Sequence, residues 1–164
     1  MEVALKSDIA LVLADRLTSL GWMLATAESC TGGLIAAQCT DLPGSSRWFD
    51  RGLVTYSNAA KTELLGVEPT LIATHGAVSE EVACAMALGA VYRTHARASV
   101  SVTGIAGPDG GSDSKPVGTV WFGWCLDGVV SSECHVFTGN RQQVRLASCA
   151  HALNGLYKRL SALT

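Results

Sequence analysis

The chain has 164 residues, enough for one domain whose core needs no disulfide or metal staple. Its hydrophobic share is 48%, its charged share 16% and its net charge −2, so no basic field recruits nucleic acid. No apolar run is long enough for a membrane span, and residues 1–7 lack a basic start followed by an apolar core, so neither insertion nor export is expected.

Ile9, Val12, Leu13, Leu17 and Leu20 recur at helical spacing, which predicts a helix over Lys6 to Ser19 ended by Gly21. Trp22 to Ala27 reads as a strand and Leu34 to Cys39 as a helix, with Glu28-Ser29-Cys30-Thr31-Gly32-Gly33 at the junction. Such a junction gathers main-chain N–H groups and the positive end of a helix dipole, which suit anions and nucleophiles. After the breaking stretch Asp41 to Ser46, Phe49 to Tyr56 reads as a second strand. Ser57-Asn58 then caps a short helix over Ala59 to Leu65, stopped by Gly66.

A longer helix starts at Ser79, carries Glu80 and Glu81 in its first turn, and runs to about Thr94. Ala98 to Thr103 reads as a strand and Gly104 to Gly118 as a glycine-dense loop. Thr119 to Leu126 and Val129 to Phe137 flank Asp127-Gly128, a two-residue hairpin signal, and a last helix covers Gln142 to Leu160. Strands alternating with helices, then one hairpin, predict a single three-layer α/β/α domain: a mixed, mostly parallel sheet of about five strands plus the hairpin. Ligands of such sheets bind beyond the carboxyl ends of the strands, where the loops after Ala27, Tyr56 and Thr103 would converge.

The chemistry follows from residue types at those ends. Ser29 is either a helix cap or a nucleophile, and a nucleophilic hydroxyl needs a partner to take its proton. None of His75, His95, His135 or His151 sits in a loop suited to that task. Lys61 is the better base. With Asn58 as the cap it occupies the third helical position, where the dipole disfavours a cation, and shelter from water would lower its pKa further. Its alternative is an ordinary solvated lysine.

Tyr56, at the strand end, could orient or relay between Ser29 and Lys61, or be a half-buried strand aromatic. Cys30 is the rival nucleophile, but if Ser29 faces the cleft its neighbour faces the core. Thr31, Gly32 and Gly33 offer N–H donors for a phosphate or an oxyanion, and Thr103 and Gly104 offer them for an oxyanion. Gly107, Gly110 and Gly111 permit close main-chain approach to a ligand, although Gly104 to Gly111 matches neither GxxxxGK[ST] nor GxGxxG. Lys115 and Arg141 are candidate anion-binding cations. The six cysteines mostly lie in apolar segments, with no CxxC and no zinc-like histidine spacing. No metal or other cofactor is expected, and the thiols suit a cytoplasmic protein.

Taken together these residues resemble the CinA C-terminal domain family. The resemblance rests on Ala27-Glu28-Ser29-Cys30-Thr31-Gly32-Gly33, Val54-Thr55-Tyr56-Ser57-Asn58 with Lys61, and Leu65-Gly66-Val67. It continues through His75-Gly76-Ala77-Val78-Ser79-Glu80, the loop Gly104 to Gly111, and Lys115-Pro116-Val117-Gly118-Thr119-Val120-Trp121. It implies hydrolysis of the carboxamide of nicotinamide mononucleotide to nicotinate mononucleotide and ammonia. It also implies a catalytic role for Ser29, Tyr56 and Lys61. The other function in view is a non-catalytic nucleotide- or partner-binding module, in line with the family's naming from competence and DNA damage. Many members carry a further N-terminal domain, and this chain resembles the stand-alone form. Its apolar composition is compatible with a homodimer.

Overall fold

The structure, a computed structural model, describes residues 2–163. Its element order is α1 (Glu2–Leu20), β1 (Leu24–Glu28), α2 (Leu34–Thr40), a single 3₁₀ turn (Ser45–Arg47), β2 (Phe49–Val54) and α3 (Asn58–Leu65). There follow α4 (Pro69–His75), α5 (Glu80–Tyr92), β3 (Ala98–Gly104), β4 (Thr119–Leu126), β5 (Val129–Val136) and α6 (Arg141–Ser161).

The five strands lie in the order β2-β1-β3-β4-β5. β1 pairs parallel with β2 and β3, while β4 runs antiparallel to both β3 and β5, so β4 alone is reversed. The mostly parallel, mixed three-layer architecture is therefore as expected. The hairpin turns on Asp127 (φ 51°) and Gly128 (φ 85°), the left-handed pair that a tight hairpin demands.

The two faces of the sheet are built differently. On one, α1, α2 and α6 cover Leu24, Val100, Val102, Phe122 and Trp124, and a large apolar cluster forms around the two aromatic rings. On the other, α5 lies against the hydroxyl side of β3. Ser99 Oγ and Ser101 Oγ each donate to α5 carbonyls, of Ala87 and Ala83, at 2.6 Å, and Thr103 Oγ1 donates to Ala77 O at 2.8 Å. Small side chains let that helix come close, and its own buried face is correspondingly small: Ala83, Ala87, Gly89 and Ala90 beside Val82 and Met86.

Two local expectations are corrected and one element is added. The cap of α3 is Ser57, whose hydroxyl accepts from Ala60 N at 3.0 Å, so Asn58 is the first helical residue and Lys61 stands one position deeper than supposed. β2 ends at Val54, so Thr55 and Tyr56 have already left the strand. The segment between Gly66 and Ser79 contains a helix, α4, with Pro69 in its first turn and His75 as its last residue. Proline in a first turn is a favoured helix opening.

Candidate active site

Glu28, the last residue of β1, organises the turn that carries Ser29. Its carboxylate is fully buried and makes no ion pair among the described residues. Instead it accepts from Thr26 Oγ1 (3.0 Å), Thr31 Oγ1 (2.8 Å), and the main-chain N–H groups of Gly33 (3.2 Å), Ile35 (2.9 Å) and Ala36 (3.0 Å). A buried carboxylate is tolerable only when its oxygens are so satisfied, and here it fills the positive start of α2. The chain reaches that helix through Gly32 (φ 59°) and Gly33 (φ 103°), left-handed conformations that suit glycine.

The outcome for Ser29 is that it does not cap α2. Its N–H donates to Val102 O at 3.0 Å and its carbonyl accepts from Gly32 N at 3.0 Å, which fixes the main chain and leaves the side chain facing α3. There Lys61 Nζ donates to Ser29 Oγ at 3.1 Å, to Thr55 O at 2.9 Å and to Tyr56 O at 3.4 Å. Lys61 is 1% exposed and Ser29 9%. Burial lowers the Lys61 pKa from its ordinary 10.5, with a smaller opposing influence from Cys30. Lys61 is thus no solvated surface lysine.

Cys30, beside the serine, packs into the apolar cluster, and burial pushes its thiol up to about 11. That is the reverse of what a thiolate nucleophile requires.

These groups share a cleft of about 210 Å³ lined by Ser29, Cys30, Tyr56, Asn58, Lys61, Ala77, Val78, Thr103, Gly104, Ala106 and Arg141. It opens where β1, β2 and β3 end, as the topology led one to expect. Of the other residues singled out from sequence, Thr31 is turned toward Glu28. The N–H groups of Gly32 and Gly33 are engaged within the turn, and the anion position at the start of α2 is held by Glu28.

Gly107 is reached through Arg141, whose Nη1 donates to its carbonyl at 2.8 Å, whereas Gly110 and Gly111 lie further out on the same loop, outside the cleft lining. Lys115 also stands apart from the lining: its Nζ donates to His75 O at 3.0 Å and ties the loop to the end of α4. Tyr56 is 57% exposed rather than half-buried in a strand, and its phenol oxygen accepts from Arg141 Nη2 at 2.9 Å.

Sequence reasoning assigned nothing to Glu28, to the Thr55 carbonyl or to Arg145. The Arg145 guanidinium reaches from α6 to Cys30 O (3.0 Å) and Thr31 O (3.3 Å), bracing the serine turn. Only Glu28 had a readable signal: an acid at the end of an otherwise apolar strand, just before glycines. None of the six cysteines is disulfide-linked, and among the described residues no histidine, cysteine, aspartate and glutamate cluster fits a metal ion. No described helix is long and apolar enough to cross a membrane.

The CinA C-terminal domain model matches residues 6–160, and the chain belongs to that family. It is 53% identical over 147 residues to the nicotinamide-nucleotide amidohydrolase PncC of Enterobacter agglomerans, covering 89% of this chain and 90% of that protein. To the protein of the same name from Escherichia coli (strain K12) it is 50% identical over 150 residues, 90% of each. Among solved structures, the competence damage-inducible protein A (ComA) of Klebsiella pneumoniae subsp. pneumoniae superposes with a TM-score of 0.93 at 35% identity. That match covers 97% of this chain and 99% of the other.

Proposed function

We propose that this chain is a nicotinamide-nucleotide amidohydrolase, which converts nicotinamide mononucleotide to nicotinate mononucleotide and ammonia through an acyl-enzyme on Ser29. The observation that carries this reading is the buried Lys61 amine 3.1 Å from the Ser29 hydroxyl, in a chain half-identical to proteins of that name. A neutral amine has two hydrogens and one lone pair. The carbonyls of Thr55 and Tyr56 are placed to accept the hydrogens, which turns the lone pair toward Ser29 Oγ.

Lys61 then takes the Ser29 proton as Oγ adds to the amide carbon. The oxyanion would be held by main-chain N–H groups bordering the cleft, at Cys30–Thr31 or Thr103–Gly104. The resulting ammonium returns its proton to the departing nitrogen, ammonia leaves, and water assisted by the same amine releases the acid. The carboxamide would lie against Ser29 and the phosphate toward Arg141, which lines the cleft, rather than Lys115, which does not.

Placing the reaction in the cytoplasm, where thiols stay reduced, belongs to the same proposal. So does a homodimer, which light scattering on the purified chain tests. For the reaction itself the test is ammonia release from nicotinamide mononucleotide by wild type, Ser29→Ala and Lys61→Ala. Activity in wild type and none in either variant is expected. Full activity in a variant removes that residue from the mechanism, and free nicotinamide as an equal substrate removes the phosphate site.

A further inference from the structure

The Tyr56 side chain stands away from the work that sequence suggested for it. A relay bridges a donor and an acceptor that do not meet, yet Ser29 Oγ and Lys61 Nζ are already in hydrogen-bond contact at 3.1 Å. Tyr56 reaches Lys61 through its main-chain carbonyl alone, and its phenol is bound to Arg141. The Arg141 guanidinium thus rests on two neutral oxygens, Tyr56 Oη at 2.9 Å and Gly107 O at 2.8 Å.

No ion pair among the described residues includes Arg141, and no aspartate or glutamate lines the cleft. A guanidinium carries five N–H donors, and these two contacts leave the others for a ligand. The phenol accepts from Arg141, so its own hydrogen remains to be donated. What the pair presents at the cleft mouth is a fixed, uncompensated positive charge beside an O–H donor, the chemistry that receives a phosphate.

We propose that Tyr56 is a specificity residue: its phenol holds the Arg141 guanidinium in the orientation that grips the substrate phosphate, so this pair separates mononucleotide from nucleoside. The inference rests on the amidase reading and deepens it, moving Tyr56 from proton transfer to phosphate recognition.

The test is steady-state kinetics of wild type, Tyr56→Phe, Arg141→Ala and the double variant on nicotinamide mononucleotide and nicotinamide riboside. Tyr56→Phe is expected to raise KM for the mononucleotide about 5- to 30-fold with kcat within about twofold, and to move kcat/KM for the riboside less than about threefold. Arg141→Ala should lower the preference for the mononucleotide about 100-fold. The double variant should be no worse, because the phenol acts through the arginine.

A kcat loss above about 100-fold on both substrates in Tyr56→Phe would restore the relay, and an unchanged preference would remove the phosphate role. If wild type releases no ammonia, the amidase reading fails by itself. Calorimetry with the same two ligands then decides the inference: tighter mononucleotide binding, weakened in Tyr56→Phe, upholds it, and equal binding overturns it.

Discussion

The floor and the mouth of the cleft are built on opposite principles. On the floor, Ser29 and Lys61 are 9% and 1% exposed, the amine hydrogen-bonds to the neutral oxygens of Ser29, Thr55 and Tyr56, and burial weakens its hold on a proton. At the mouth, Tyr56 and Arg141 are exposed, and a guanidinium is a planar cation built to grip anions. Reactivity needs a lysine that can be neutral, and recognition of an anion needs a cation that cannot. One cleft holds a buried amine and an exposed guanidinium because α3 delivers the first and the start of α6 the second.

If that division holds, substitutions on the floor act on kcat. The largest effect is expected there: Ser29→Ala, or Lys61→Arg with its permanent charge, should lower ammonia release by about 10⁴-fold or more. Equilibrium binding of the mononucleotide to Ser29→Ala should survive. Loss of binding in that variant would merge floor and mouth into one unit.

Next comes Glu28→Gln, which puts an amide NH₂ among donors that now converge on a carboxylate. We expect a loss of about 2–4 kcal/mol in urea unfolding, with kcat falling more than KM rises, since the Ser29 turn loosens.

A pH series sharpens the contrast further. Lys61 is depressed below 10.5, so kcat/KM should climb about tenfold per pH unit up to that lowered value and level off before 10.5. Stability should also rise with pH between the lowered value and 10.5, because there the unfolded chain holds a proton that the folded one does not. The smallest effect serves as a control: Arg97→Ala breaks the exposed pair with Asp127 (2.7 Å), far from both regions in the fold. It should change stability by less than about 1 kcal/mol and leave both kinetic constants alone.

Much of this was readable along the chain because it is local. The spacing of Leu13, Leu17 and Leu20, the hairpin dipeptide Asp127-Gly128, the cap at Ser79 and the apolar strands depend on neighbours a few residues away. The candidates Ser29 and Lys61 also emerged this way, from a strand–turn–helix junction and a lysine near a helix start. The reading faltered where a cap had a near-equivalent: Ser57 and Asn58 are both good caps, of which only backbone geometry selects one. It missed Glu28 because the donors that justify a buried acid lie on both sides of it, from Thr26 to Ala36, and meet only once the turn closes.

From the sequence alone came the alternation of strands and helices, the layer order that alternation imposes, and the chemical inventory at the strand ends, since each depends on local periodicity and side-chain type. Tertiary structure alone decided how dry Lys61 is, which three oxygens its amine meets, and that the Tyr56 phenol belongs to Arg141, a residue 85 positions away. Solvent exclusion and contacts between distant segments set those outcomes, and both exist only after the chain has closed on itself.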